Sequence, residues 1–169
     1  MQPLPPKIKT KKKPDLQQPS LRGRALRLLG RREFSRQALD KRLRAYSETP
    51  EELASLLDDL AERGWLSDAR YADALIRKRS GQFSRRAIAQ ELKQAGVSEE
   101  VTAAALPVAD PDEEFTAALA LCQRKFRRPP IEQKEKARQI RFLQSRGYSL
   151  NLALRVLKQV GAEGKNCGK

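Results

Sequence analysis

Apolar residues recur along most of the chain at the spacing of one face of an α-helix, and residues that favour helix ends separate the resulting stripes. The clearest stripe has the i, i+3, i+4, i+7 spacing and consists of Leu53, Leu56, Leu57 and Leu60. Before it, Thr49 is placed to cap a helix, Pro50 to occupy its first position and Glu52 to reach back. The apolar residues are mainly Leu and Ala, which suit packed helices better than a sheet. The pattern predicts an all-α protein.

A second pattern, Leu-x-x-x-Gly followed by an apolar residue, occurs three times along the chain. Its copies are Leu60–Gly64–Trp65, Leu92–Gly96–Val97 and Leu143–Gly147–Tyr148. Gly at this position ends a helix, and the apolar residue after it packs back on the leucine. Ser67, Ser98 and Ser149 then stand where each can cap the next helix. The pattern therefore predicts three places where one helix stops and another begins.

Two segments repeat in register, which indicates internal duplication. FSRQALDKRL at 34–43 recurs as FSRRAIAQEL 49 residues later, and LKQAGVS at 92–98 recurs as LQSRGYS 51 residues later. We predict three tandem three-helix units, packed end to end as an elongated array. The expected boundaries are a disordered Lys/Pro-rich arm at 1–20, units at 21–67, 68–107 and 108–160, and a polar tail at 161–169. Trp65 is expected to be structural, at the seam between the first two units.

Composition limits the possible functions. The net charge of +14 with a pI near 10.2 indicates a polyanionic partner or an acidic protein surface. The absence of His removes the commonest general base and metal ligand. Cys122 and Cys167 are far apart, and Cys122 is in helical step with Phe115, Ala118 and Leu119, so we predict a core residue. We expect a cytoplasmic, monomeric protein without catalytic residues, metal, cofactor or membrane segment.

Basic residues stand at two predicted helix starts, where positive charge is unfavourable. Arg36 follows the cap Ser35, and Arg85 and Arg86 follow the cap Ser84. A cation beside free N–H groups at a helix start can bind phosphate or a partner's carboxylate. Since aromatic residues are not interleaved with the basic runs, phosphate contact or protein docking is favoured over base stacking. The candidates for contacting such a partner are Arg36, Arg77, Lys78, Arg79, Arg85, Arg86, Arg124, Lys125, Arg127, Arg128, Lys134, Lys136, Arg138 and Arg141.

The segments GWLSDARYADALIRKR and FSRRAIAQELKQAGVS resemble the RecX family of bacterial recombinase regulators. ALRLLGRREFSRQALDKRL and RQIRFLQSRGYSLNLALRVL support the resemblance, which covers roughly residues 21–160. One departure is Ser67-Asp68, where the family often has an acidic pair. The resemblance implies tandem three-helix repeats that lie along the groove of the RecA filament on single-stranded DNA. It further implies that they modulate, mostly inhibit, its ATPase and strand exchange in recombination and repair, without a cofactor or catalytic centre.

Three other interpretations of the sequence are open. The basic residues could form a generally basic surface with no specific partner. The chain could be a stand-alone helical DNA-binding module that acts through phosphate contacts. Asp58 and Asp59 could form a carboxylate metal site for a nuclease, although a solvated helix face accounts for them more simply. For the acidic run Asp112 to Glu114, a helix start is favoured over a metal cluster.

Overall fold

The computed structural model describes residues 19–108, 110–126 and 128–166, the last five of these through the backbone alone. Within these residues the chain is helical, and the all-α prediction is confirmed. A short 3-10 turn, Arg44–Tyr46, follows the second helix. Most of the predicted N-terminal arm (1–18), the candidate Arg127 and residues 167–169 lie outside the described residues. The helices are α1 Leu21–Leu29, α2 Arg36–Leu43, α3 Pro50–Glu62, α4 Asp68–Arg79, α5 Arg85–Gln94, α6 Glu99–Ala105, α7 Pro111–Lys125, α8 Gln133–Ser145 and α9 Leu150–Asn166.

The helices group into three-helix units, each around its own apolar core. We name them unit 1 (α1–α3), unit 2 (α4–α6) and unit 3 (α7–α9). Burying one such aliphatic side chain contributes about 1.5–3 kcal/mol, so the core is the main source of stability within each unit. The core of unit 1 contains Ala25, Phe34, Leu39, Leu43, Leu53, Leu57, Leu60 and Leu66. That of unit 2 contains Ala72, Leu75, Ile88, Leu92 and Val97. That of unit 3 contains Ala118, Leu121, Cys122, Leu143, Tyr148, Leu152, Ala153, Val156 and Val160.

The glycine stops form as the Leu-x-x-x-Gly pattern predicts. Gly64, Gly96 and Gly147 have φ angles of 70°, 78° and 90°, in the left-handed region that favours glycine. In each case the residue after the Gly donates its N–H to the carbonyl of the leucine, at 2.9 to 3.1 Å. These are the hydrogen bonds of the Schellman motif, which satisfy carbonyls at the helix end. The stop closes α3 in unit 1 but the second helix, α5 or α8, in units 2 and 3.

Trp65 differs from the sequence prediction. The Trp65 side chain is 44% exposed, and the next residue, Leu66, enters the core instead. Its ring lies 5.7 Å from the guanidinium carbons of both Arg22 and Arg63, which belong to unit 1. Trp65 therefore covers the outer surface of unit 1 and not the seam with unit 2. Val97 and Tyr148, at the same place in the other two stops, are buried.

Helix ends depart from the prediction in three places. The capping carboxylate of Glu52 accepts the N–H of Glu48 at 3.0 Å, one residue before the cap Thr49. Helix α7 begins at Pro111, one residue before the predicted helix start at Asp112, because Asp110 caps it by accepting the N–H of Asp112. Helix α9 continues into the segment whose polar composition predicts a tail. Local competition between capping residues decides such ends, which makes them hard to place from spacing alone.

Consecutive units meet at a recurring joint, where the N-terminus of the second helix of one unit contacts the glycine stop of the next. The Ser35 hydroxyl donates to the Ala95 carbonyl at 2.6 Å. At the equivalent place, the Ser84 N–H donates to the Arg146 carbonyl at 2.8 Å. Both serines are buried, and each also caps its own helix. The repeated Ser at these helix starts thus serves both the cap and the joint.

Candidate functional site

Arg36, at the start of α2, is held by carboxylates from within the chain. Its guanidinium pairs with Asp58 at 2.7 Å. Its backbone N–H donates to a carboxylate oxygen of Asp68, the first residue of α4, at 2.8 Å. The positive helix start that the sequence marks as an anion site therefore already has an acid from unit 2 against it. The sequence signal for this contact is Asp68 itself, an acidic residue at the start of α4.

Arg85, at the start of α5, has a similar environment. Its guanidinium donates to the Pro107 carbonyl at 2.7 Å and pairs with Glu113, in the first turn of α7, at 3.2 Å. The neighbouring Arg86 is exposed and makes no ion pair with another described residue. At both helix starts an acid from the first helix of the next unit thus contacts the first residue, through the backbone N–H of Arg36 and through the guanidinium of Arg85. Only Arg86 keeps its charge free for a partner.

The basic end of α4 is divided in the same way. Arg79 donates two hydrogen bonds to Glu91, at 2.9 and 2.7 Å, and these raise the pKa of Arg79 above its usual value. Its guanidinium also lies 5.1 Å from the ring centroid of Phe83. Arg77 and Lys78 are exposed and form no ion pair within the described chain. Arg79 therefore joins α4 to α5, whereas Arg77 and Lys78 are available to a partner.

The remaining candidates lie in unit 3. Arg124 donates to the Gly81 carbonyl of unit 2 at 2.7 Å, so it also contributes to the joint. Glu135 is the nearest acid in sequence to the α8 lysines, and it accepts the Ile131 N–H at 3.0 Å. The other described candidates are exposed and are named here as the unit 3 basic set: Lys125, Arg128, Lys134, Lys136, Arg138 and Arg141. No ion pair joins this set to another described residue.

Arginines and phenylalanines alternate across the joint between units 2 and 3. The Arg146 guanidinium lies 4.7 Å from the ring centroid of Phe83 and 5.4 Å from that of Phe142. The rings of Phe142 and Phe126 meet edge to face, 5.3 Å between centroids, and Arg138 lies 5.9 Å from Phe126. The expectation that aromatics are not interleaved with the basic runs is wrong. Phe126 stands between Lys125 and Arg128 in the sequence, and Phe142 follows Arg141. We name this the Arg–Phe series: Arg79, Phe83, Arg146, Phe142, Phe126 and Arg138.

A cleft of about 440 Å³ lies beside the Arg–Phe series, and we name it the joint cleft. Unit 2 contributes Ser80 and Gln82, and unit 3 contributes Arg124, Lys125 and Arg146. The residues that line it include no carboxylate. Four other clefts of the described chain, between about 280 and 410 Å³, each include at least one Asp or Glu. The joint cleft is therefore the one among these five with uncompensated positive charge.

The candidate acidic metal sites are committed to other contacts. Asp59 accepts a hydrogen bond from Arg63 at 2.7 Å and pairs with Arg22 at 2.8 Å. The Arg63 hydrogen bond and the charge of Arg22 hold the pKa of Asp59 below its usual value, against a smaller effect of burial. Asp58 pairs with Arg36. In the described part of the chain, no cluster of three or more Asp, Glu, Cys or His residues could hold a metal ion.

Cys122 is buried in the core of unit 3, as its helical spacing predicts. Burial raises the pKa of its thiol, and the thiol lies 3.6 Å from the side-chain oxygen of Gln139. Such a thiol is a core group and a poor nucleophile. Separately, none of the helices described here is long and apolar enough to cross a bilayer.

Together, these features define a helical-repeat protein with an uneven distribution of free positive charge, the general form of a binding protein for a polyanionic or acidic partner. Two family models match the chain. The model described as RecX, third three-helix domain, matches residues 112–157, and the model described as RecX, second three-helix domain, matches residues 67–106.

Curated relatives extend the likeness to most of the chain. A protein named Regulatory protein RecX from Neisseria meningitidis serogroup B is 40% identical over 147 residues, covering 87% of this chain and 95% of the relative. Regulatory protein RecX from Leptothrix cholodnii is 40% identical over 139 residues, covering 82% of this chain and 88% of the relative. The chain belongs to the RecX family of regulatory proteins.

Solved structures support the fold independently of sequence. RecX from Lactobacillus salivarius superposes with a TM-score of 0.65 at 14% identity, over 84% of this chain and 95% of that one. A second structure, described as regulatory protein RecX, has a TM-score of 0.65 at 22% identity, over 80% of this chain and 70% of that one. At these identities the likeness concerns the fold alone. The succession of three-helix units is therefore shared with relatives of very different sequence.

Proposed function

We propose that this protein binds the RecA filament on single-stranded DNA and modulates, mainly by inhibition, its ATPase and strand exchange. The observation that carries the proposal is membership of the RecX family over nearly the whole helical array. Recombination takes place on chromosomal DNA, so the proposal places the protein in the cytoplasm. It requires neither a cofactor nor a catalytic residue, because the effect follows from occupancy of the filament.

The exposed cations without ion pairs are the residues we assign to the partner. Arg77, Lys78 and Arg86 of unit 2 and the unit 3 basic set are in this position. Arg36, Arg79 and Arg85 have carboxylate partners in the chain, so we assign them to the fold. This division follows from energetics, since an arginine already paired must lose one ion pair to form another. The free cations make a new contact without that loss.

The first experiment is inhibition of the DNA-dependent ATPase of RecA by substoichiometric amounts of the purified full chain. We expect inhibition at well below one protein per RecA monomer. Absence of any effect at a filament-saturating concentration would overturn the proposal.

Charge reversal tests the assigned residues. The double variant Arg77→Glu/Lys78→Glu is expected to need at least about tenfold more protein for half inhibition, as expected when favourable charge contacts become repulsive. Arg27→Glu/Arg31→Glu is the matched control, because these exposed cations of unit 1 carry the same charge and are not assigned to the partner. Equal loss in both variants would assign the effect to net charge and not to the α4 end.

A stand-alone DNA-binding module is the second candidate function, and the carboxylate-free joint cleft is the observation that favours it. Simple phosphate binding weakens steeply with salt, with a slope of about −0.7 in log K against log salt concentration for each single-strand phosphate contacted. The protein should then bind a bare oligonucleotide as tightly without RecA as with it. If adding RecA to the same DNA leaves the affinity unchanged, this second function replaces the first.

A further inference from the structure

We propose that the joint cleft is a binding site for one phosphate group, which bridges units 2 and 3. The cleft is formed from both sides of the joint, by the α4–α5 turn of unit 2 and by α7 and the α8 end of unit 3. An anion held there would contact both units at once. This inference deepens the proposed function at the same basic surface, and it rests on that function only for the source of the phosphate.

The charge in the cleft favours an anion from outside the chain. Arg124, Lys125 and Arg146 line it, and no Asp or Glu does. At the starts of α2 and α5, by contrast, Asp58 and Glu113 pair with the guanidinium groups of Arg36 and Arg85. The chain thus balances its charges at the other parts of the joints and leaves them unbalanced here. Three cations facing one cavity repel each other, and a bound anion removes that repulsion.

The donors suit a phosphate better than a single carboxylate. Arg146 lies over the rings of Phe83 and Phe142, and its guanidinium N–H groups donate no hydrogen bond to another described residue. Arg124 uses one N–H for the Gly81 carbonyl and retains others. With the Lys125 ammonium, these donors can serve the oxygens of a phosphate, which point in tetrahedral directions, two in a nucleic-acid backbone and three in a terminal phosphate. The two oxygens of a carboxylate lie in one plane and reach fewer of these donors. A cavity of about 440 Å³ also accommodates that group with its hydration water.

The source of the phosphate has two possibilities with the same chemistry, the backbone of single-stranded nucleic acid or a free phosphate. The Arg–Phe series beside the cleft favours the backbone, because aromatic rings and guanidinium groups are the side chains on which bases stack. Lys125 and Arg138 also line a neighbouring cleft of about 410 Å³, so the basic surface continues beyond the joint. A strand could then place one phosphate in the joint cleft and the next beyond it.

The test uses the full chain without RecA, so its failure is separate from failure of the proposed function. Thermal unfolding is followed with inorganic pyrophosphate, sodium succinate or sodium chloride at matched ionic strength. We expect pyrophosphate to raise Tm by about 3 °C at ten times its Kd, and by a further increment for each tenfold rise in concentration. An equal shift with succinate, or no shift beyond chloride, would overturn the phosphate site.

Variants locate the site. Lys125→Gln/Arg146→Gln should abolish the pyrophosphate shift, and Lys125→Gln alone should reduce it at least about threefold if Arg146→Gln compromises folding. The matched control is Arg155→Gln/Lys158→Gln, which likewise removes one ring-stacked arginine and one exposed lysine, here from α9. It should keep the full shift. A shift that survives in the Lys125 variants, or is lost equally in the control, would overturn the assignment.

Competition distinguishes the two sources. A fluorescent dT oligonucleotide is bound to the protein and titrated with pyrophosphate at constant ionic strength. Displacement that is lost in Lys125→Gln assigns the cleft to the nucleic-acid backbone. If neither pyrophosphate nor the Lys125→Gln substitution changes oligonucleotide binding, the cleft is assigned to free phosphate.

Discussion

The joints between units can be tested by adding a single methyl group at Gly147. Its φ of 90° already costs a residue with a side chain about 1–2 kcal/mol. A Cβ there would also fall 2.6 Å from the Ala87 Cβ and 2.5 Å from the Ser84 hydroxyl oxygen. Carbon atoms prefer 3.5–4.0 Å, so the joint would have to open by about 1 Å. Overpacking of this kind costs about 1–3 kcal/mol, giving a total for Gly147→Ala of about 2–5 kcal/mol.

Gly64→Ala is the matched control for the same backbone conformation. Gly64 has a φ of 70°, and a Cβ there meets nothing within 4 Å. Only the backbone cost of about 1–2 kcal/mol remains. The difference between the two variants, about 1–3 kcal/mol, is therefore the cost of the steric overlap at the joint. Gly96→Ala should resemble Gly147→Ala, because its Cβ would lie 2.7 Å from the Cβ of Gln37.

Urea denaturation followed by two signals measures this difference. Circular dichroism at 222 nm reports all helices, whereas the fluorescence of Trp65 reports unit 1, on whose surface it lies. In Gly147→Ala the dichroism midpoint should fall further than the fluorescence midpoint, because the damage is at the joint of units 2 and 3. In Gly64→Ala the fluorescence midpoint should fall at least as far. Equal loss of stability in the two variants would refute the account of the joint.

Three further predictions concern single groups. Arg79→Ala should lower the free energy of unfolding by about 1 kcal/mol through loss of its bidentate pair, whereas Lys78→Ala next to it should have little effect, both measured by urea denaturation. Because the folded pKa of Asp59 lies below the unfolded value near 3.8, its stabilisation is present above that value and is lost as pH falls through the folded pKa. Acid titration of stability should thus be shallower below pH 3.8 in Asp59→Asn than in the parent, and identical curves would contradict this. In a Cys167→Ser background, the buried Cys122 should react with a thiol reagent at least about tenfold more slowly in the native protein than in denaturant.

The elements of the fold were predictable because the signals that place them are local. All residues of a Schellman motif lie within a few positions of one another, from the leucine to the residue after the glycine. A serine cap is equally local, because the serine accepts the N–H of the residue three positions later. Cys122 was predicted to be a core residue for the same reason, because the apolar residues at helical spacing from it lie in the same helix. Trp65 was misplaced because two apolar residues follow Gly64, and local spacing does not decide which of them enters the core.

The joints were not predictable, because their contacts link residues distant in sequence. The Ser35 hydroxyl reaches a carbonyl 60 positions away, and Arg124 reaches one 43 positions away. Phe83 and Phe142 come from different units, so no local run could have indicated that Arg146 lies over both rings. Sequence similarity between the repeats indicated that units exist. It did not indicate which surfaces they bury against each other.

The basic helix starts illustrate how the prediction from sequence differs from the structure. The sequence marks Arg36 and Arg85 as anomalies, since cations are unfavourable at a helix N-terminus. The structure places an acid from the next unit against each, Asp68 and Glu113, so the anomaly has a structural explanation at the joint. The net charge of +14 is then not one uniform surface. Cations at helix N-termini, where they are unfavourable, are largely held by contacts within the array. Exposed cations elsewhere, such as Lys78 at the end of α4, remain free to bind a partner.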